Sequence, residues 1–245
     1  MIKAIIFDLD GTLIQTEILK AKSYAMAINV LTEGEVAVKK VMDGFGRYVG
    51  LSRYEVVSGL VREFKTLLSF YLESKSTEQV QQLVLSERLS IYQGILNDSQ
   101  LLSAHFCPYN LGLLDSLFND NYLTALATMS NLPEVERVLD VMNIRPQFHL
   151  VVTRENVKNG KPHPEIYSKT KDSLKVKAEE CLVIEDSVNG ITAGLKAGMH
   201  VFAVTNDITR ASVHDSGLLP DEFIIDDLTE LKARVYQFLM ESKNQ

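Results

Sequence analysis

A short apolar run that ends in two carboxylates constrains this chain more than any other stretch. Ala4-Ile5-Ile6-Phe7 has the length and composition of a buried strand, and Asp8-Leu9-Asp10-Gly11-Thr12 follows at once. Side chains alternate along a strand, so Asp8 and Asp10 leave it on the same side if the geometry persists past its end. Gly11 lets the backbone turn away sharply. Two carboxylates crowded at a strand end repel each other unless a proton, a cation or backbone donors relieve them. Mg2+, which takes hard oxygen ligands, is one such cation. Asp-Gly is also a common turn dipeptide, so on these residues alone both readings stand.

Beyond Ile14 the pattern changes. From Glu17 to about Leu102 helical spacing replaces strands: Glu17 to Leu31, Glu35 to Met42, Tyr54 to Leu72, and a helix from Thr77, a plausible N-cap, to about Ile95. From Pro108 strands and helices alternate. The strands fall at Tyr122 to Ala127, Phe148 to Val152, Cys181 to Ile184, Val201 to Val204 and Phe223 to Ile225. Helices separate them at Pro133 to Met142, Pro164 to Leu174 and Val188 to Ala197, and a last helix covers Leu228 to Met240. This order predicts an α/β fold, a Rossmann-like and mostly parallel sheet flanked by helices, with an all-helical block inserted after the first strand. The expected domains are residues 1–15 with 105–245, and residues 16–104. In such sheets ligands bind outside the carboxyl ends of the strands, and the first strand ends at Asp8.

Three later features follow predicted strand ends. Thr128-Met129-Ser130-Asn131 offers hydroxyls and backbone N–H groups before a helix, which suits either an anion site or an ordinary cap. Gly160-Lys161-Pro162-His163-Pro164 is a rigid loop that presents one lysine, able to neutralise a phosphate or simply solvated. His163 has no partner at a metal spacing and reads as an exposed loop residue. Ile184-Glu185-Asp186-Ser187 repeats the opening pattern, a buried strand ending in two carboxylates. One acidic pair is a turn; two, at two strand ends of one sheet, suggest a carboxylate cluster around a hard cation.

Charge and composition exclude several classes. A net charge of -7 gives no electrostatic case for nucleic acid or an anionic membrane surface. No apolar run reaches the roughly 20 residues that span a bilayer. The N-terminus lacks a secretory pattern, so a cytoplasmic protein is expected. Cys107 and Cys181 form no disulfide or zinc framework. There is no phosphate-binding P-loop and no nucleophile elbow. Gly44 to Gly50 superficially resembles a dinucleotide loop, but its third glycine is one residue late and no strand precedes it.

Taken in order, Asp8-Leu9-Asp10-Gly11-Thr12, Thr128, Lys161-Pro162 and Glu185-Asp186 resemble the four motifs of the haloacid dehalogenase-like (HAD) superfamily. Gly160 to Tyr167 and Glu185 to Ile191 look like the subgroup of β-phosphoglucomutase and small sugar-phosphate phosphatases. The resemblance implies Asp8 as nucleophile, forming an aspartyl phosphate, and Asp10 as general acid and base. It implies Mg2+ held by Asp8, the backbone carbonyl of Asp10 and Asp186, with Glu185 directly or through water. Thr128, with Ser130, and Lys161 would bind phosphate oxygens. An Asp at position 10 favours phosphoryl transfer, since the dehalogenases and phosphonoacetaldehyde hydrolases lack one there.

The inserted block corresponds to the helical cap of that subgroup. Within it Val49-Gly50-Leu51-Ser52-Arg53 resembles the loop that contacts sugar phosphate, which makes Arg53 a candidate for a second phosphate or a sugar hydroxyl. Lys20 stands where the mutases commonly carry a histidine, and Gln15 replaces a frequent Asp. The expectation is a Mg2+-dependent phosphatase acting on a small phosphorylated metabolite, a monomer or weak homodimer. A β-phosphoglucomutase-like phosphotransferase and a non-catalytic binding or regulatory protein are the alternatives.

Overall fold

The structure, a computed structural model, describes residues 1–48 and 53–243. Six strands form one sheet: β1 (Ala4–Phe7), β2 (Leu123–Ala127), β3 (Leu150–Val152), β4 (Cys181–Glu185), β5 (His200–Val204) and β6 (Ile224–Ile225). Their spatial order is β3-β2-β1-β4-β5-β6, and every pairing is parallel. Helices cover both faces, as parallel strands require, because their crossovers run back over the sheet. The Rossmann-like fold expected from the alternating pattern is the fold observed.

The helices between β1 and β2 are α1 (Thr16–Leu31), α2 (Val38–Gly44), α3 (Arg53–Glu63), α4 (Lys65–Tyr71), α5 (Thr77–Asn97), α6 (Ser99–Ser103) and α7 (Pro108–Asn119). Those after β2 are α8 (Leu132–Met142), α9 (Glu165–Leu174), α10 (Val188–Lys196), α11 (Arg210–Ser216) and α12 (Leu231–Glu241). The chain divides into two compact units, residues 1–15 with 102–245, and residues 16–101. No described helix is long and apolar enough to cross a membrane.

In the α/β unit β1 lies between β2 and β4, so it is buried on both faces and both edges. Ile5, Ile6 and Phe7 are all fully buried, which explains why this strand reads as a continuous apolar run rather than an alternating one. On one face Ala4 and Ile6 join Ala125, Val183, Tyr167 and Ile191 in a single core. Each fully buried Ile or Leu there contributes about 1.5–3 kcal/mol. Phe7 sits opposite Leu126 and Ile184 in register. The residues that follow, Asp8, Ala127 and Glu185, therefore emerge together at the carboxyl edge. This is the point where the strand order reverses, with the connections leaving in opposite directions.

The helical unit has its own core of Tyr24, Ile28, Val57, Leu60, Phe64 and Val84. Two details differ from the sequence expectation. The stretch from Tyr54 to Leu72 breaks at Phe64, whose angles (φ -101°, ψ 20°) leave the helix while its ring is buried. The cap of α5 is Ser76, not Thr77: Ser76 and Gln79 exchange hydrogen bonds in a capping box. The loop of Val49 to Ser52, part of the expected sugar-phosphate loop, lies outside the described residues.

Candidate active site

Lys161 is the hub of the carboxyl edge. Its side chain is only 7% exposed, and its ammonium donates to Asp8 Oδ1 and Glu185 Oε1, both at 2.6 Å, and to the Ala127 carbonyl at 3.0 Å. All three of its N–H donors are thus committed, to one group from each of three neighbouring strand ends. Burial works against the charge, but the Asp8 and Glu185 carboxylates outweigh it and raise the Lys161 pKa well above the ordinary range. The ring of Tyr167 lies 4.9 Å from the same ammonium. The loop that carries Lys161 is closed by Glu165, which accepts the backbone N–H groups of Lys158 at 3.0 Å and Asn159 at 2.9 Å.

Asp8 is buried, and burial pushes its pKa up to about 7; Lys161 opposes the shift, while Glu185 and Asp10 add to it. No described residue donates to its second oxygen, Oδ2. Asp10 is held differently. The hydroxyls of Ser130 and Thr128 both donate to Asp10 Oδ2, at 2.5 and 3.3 Å, and the Ser130 N–H donates to Thr128 Oγ1. The two aspartates therefore sit in distinct settings, one against an ammonium and one against hydroxyls. Gly11 makes the turn between them and the next helix, at φ +86°, a left-handed conformation that glycine adopts freely.

The donor set suits a hard divalent cation. Asp8, Glu185 and Asp186 each bring one carboxylate oxygen to within 4.8 Å of the others, and all three residues are buried. Lys161 pairs with two of these carboxylates, Asp8 and Glu185, and Asp10 lies near enough to raise the Asp8 pKa further. Backbone space is left for these groups. A methyl at Gly11 would fall 2.0 Å from Asp186 Oδ2, and one at Gly190 would fall 1.7 Å from Glu185 Oε1. Asn206, just past β5, places its amide 3.4 Å from Asp186 Oδ2. Its own carbonyl oxygen accepts the Ile208 and Thr209 N–H groups, which fixes the amide NH2 as the end facing Asp186.

The structure brings Asp8, Asp10, Thr128, Ser130, Lys161, Glu185 and Asp186 together in the α/β unit. Thr128 and Ser130, expected to meet phosphate, here hold Asp10. Arg53 belongs to the helical unit, where it opens α3. His163 is exposed, and its ring accepts the Glu165 N–H at 3.2 Å. Four contributors are given no role by the sequence: Asn206, and Tyr167, Ser187 and Gly190, which fall inside the stretches that resemble the family. Ser187 had a local signal, since a serine ahead of Val188 to Lys196 marks a helix start, and it does cap Gly190 N–H at 3.1 Å. Nothing in the sequence places Asn206 beside Asp186.

Comparison with known proteins points to one family. The family model described as haloacid dehalogenase-like hydrolase matches residues 5–204. The β-phosphoglucomutase of Bacillus subtilis (strain 168) is 30% identical over 203 residues, 82% of this chain and 83% of that protein. Hexitol phosphatase A of Escherichia coli (strain K12) is 28% identical over 203 residues, covering 82% of each. The crystal structure of β-phosphoglucomutase from Clostridium difficile superposes with a TM-score of 0.65 at 25% identity, over 100% of this chain and 98% of that one.

Proposed function

The chain belongs to the haloacid dehalogenase-like hydrolases, and from that premise we propose that it hydrolyses the phosphomonoester of a small phosphorylated metabolite, a sugar phosphate. The observation that carries this reading is the unequal treatment of two neighbouring aspartates. Asp8 has one oxygen clamped by buried Lys161 and the other without a described donor. Asp10 accepts from two hydroxyls, those of Thr128 and Ser130, on its Oδ2.

These settings match a nucleophile and a proton carrier. Asp8 Oδ2 attacks phosphorus; the bond from phosphorus to the ester oxygen breaks, and that oxygen takes a proton from Asp10. The aspartyl phosphate on Asp8 is then opened by water. Asp10, now a carboxylate, removes a proton from that water as its oxygen bonds phosphorus, and the bond to Asp8 breaks to release phosphate. Lys161 keeps Asp8 oriented and offsets charge through both steps. Asp8, the Asp10 backbone carbonyl and Asp186, with Glu185 directly or through water, are the groups that would hold Mg2+, which supplies positive charge to the transferring phosphoryl group.

A β-phosphoglucomutase-like transfer is the second reading, favoured by the 30% identity to the Bacillus enzyme. Against it, the position resembling the mutases' histidine is Lys20, which pairs with Glu17 at 3.0 Å. Phosphate release from a panel of sugar phosphates with Mg2+ tests the hydrolase reading, with Asp8→Asn expected to abolish turnover. Near-normal hydrolysis by that variant sinks the nucleophile assignment. Incubation with β-glucose 1-phosphate and a bisphosphate primer separates the two readings: glucose 6-phosphate without free phosphate supports the mutase.

A further inference from the structure

Of the three carboxylates that converge on the candidate metal position, Glu185 is bound to the protein through both of its oxygens. Its Oε1 accepts from Lys161 Nζ at 2.6 Å and from the Tyr167 hydroxyl at 3.0 Å. Its Oε2 accepts from Asp186 N–H at 2.8 Å, Ser187 N–H at 3.0 Å and Ser187 Oγ at 3.1 Å. Those are five donors on a group that offers about four lone-pair positions. The remaining approach is closed by the backbone of Gly190, against which the carboxylate lies so closely that a single methyl there would overlap it. Asp8, by comparison, accepts from Lys161 on one oxygen alone.

Tyr167 is the one donor in this set whose hydroxyl the packing of its own side chain does not require. It is fully buried on α9, one turn past the loop that presents Lys161. Its ring packs in the sheet core and its hydroxyl is aimed at Oε1, the same oxygen that Lys161 uses. A phenylalanine would fill that core equally well. The hydroxyl therefore exists for Glu185, since a buried hydroxyl without a partner costs free energy.

We propose that Tyr167 is a positioning residue that competes with the bound cation for Glu185 Oε1. By occupying that oxygen it makes Glu185 a brace for Lys161 and leaves direct ligation to Asp8 and Asp186. Tyr167 thereby weakens the resting affinity for the metal and keeps the lysine in place when the metal departs. The inference rests on the metal assignment of the phosphatase reading and deepens it.

Isothermal titration of Mg2+ into metal-stripped protein tests it directly, without substrate. Tyr167→Phe is expected to bind Mg2+ about three- to tenfold more tightly than the wild type, the size of one hydrogen bond to a charged group removed from competition. A merely structural role for Tyr167 predicts the opposite, weaker binding together with a lower melting temperature. Unchanged or weaker binding by Tyr167→Phe overturns the proposal. Glu185→Gln is the second variant, and it keeps the shape of the group. It is expected to lose less than about tenfold in Mg2+ affinity, whereas Asp186→Asn loses about a hundredfold or more. Equal losses in the two variants, with thermal melts intact, would also overturn the proposal. If the wild type itself binds no Mg2+, the metal assignment fails and this inference falls with it. If the wild type binds and the variants behave alike, the inference fails alone.

Discussion

Gly190→Ala sets two well-characterised effects against each other in one helix. Gly190 lies inside α10, and an alanine in a helix interior is worth about 1 kcal/mol over glycine. Helix propensity alone therefore predicts a more stable protein. The new methyl, however, would sit 1.7 Å from Glu185 Oε1 and 1.8 Å from its carboxyl carbon, where ordinary contact begins near 3.4 Å. The carboxylate must retreat by about half that ordinary distance. It is held by Lys161, Tyr167 and the Asp186 and Ser187 amides, and such a retreat breaks at least two of these bonds. At about 1.5–3 kcal/mol for each hydrogen bond to a charged group, the loss is about 3–6 kcal/mol. The steric term wins, and the net effect is a destabilisation of about 2–5 kcal/mol. Activity falls further, by about a hundredfold, because Lys161 loses one of the two carboxylates that fix it. Urea denaturation followed by circular dichroism, beside phosphate release, measures both. Gly112→Ala is the control: Gly112 is an exposed position in α7 with nothing within 4 Å of the added methyl, so propensity acts unopposed. A Gly190→Ala protein as stable as Gly112→Ala would refute the reasoning.

Two further outcomes follow from groups around the lysine. The Glu165 carboxyl is drawn down to about 2 by the backbone N–H groups of Lys158 and Asn159. Because the folded value lies below the unfolded one, its contribution is present above about pH 4.5 and is lost as pH falls toward 2. Glu165→Ala is expected to loosen the lysine loop and lower kcat by about ten- to hundredfold, with little change in the urea midpoint of the sheet; a kcat within twofold of wild type would show that the clamp is irrelevant. For Asp8 the sign is reversed. Its folded value is raised to about 7, so the native protein holds a proton that the unfolded chain gives up near pH 4. The metal-free protein therefore loses stability as pH rises from about 4 to 7, with a slope on the order of 1.4 kcal/mol per pH step of one across that window. Denaturation in chelator at pH 5 and pH 7.5 should show a smaller decline for Asp8→Asn than for wild type, and parallel declines would contradict the assignment.

Why some of this site is legible in sequence and some is not comes down to distance along the chain. The two acidic pairs are legible because each is local: an apolar run must bury a strand, and the polar residues that end it must lie at its mouth. Parallel pairing then does the rest, since Phe7 sits level with Ile184 and Leu126 and so delivers Asp8 beside Glu185. The lysine loop is legible for the same reason, its prolines and glycine marking a break after β3. The break at Phe64 and the shift of the α5 cap to Ser76 are not, because burial of one ring and one reciprocal hydrogen bond decide them. The supporting residues are harder still. Tyr167 falls at helical spacing on a core-facing stripe, where its ring accounts for it fully and its hydroxyl gives no separate signal.

That asymmetry has a physical cause. A reacting group must be of one chemical type, so Asp8, Asp10 and Lys161 declare themselves by what they are. A group that positions another needs only to bring a donor or an empty volume to a point. Ser187 does it with a helix cap, Asn206 with an amide turned by two backbone N–H groups, and Gly190 by having no side chain. Each of these is an ordinary choice for its local element, and Asn206 reaches Asp186 only because β4 and β5 lie side by side. Glu185 shows how far the constraint can go. Read as a sequence it is one of two equivalent acids at a strand end; placed among five donors it is the fixed post to which the lysine is tied. Asp186, one residue later, lies against the backbone of Gly11 and accepts from the Asn206 amide, yet brings its carboxylate to the same place as Glu185.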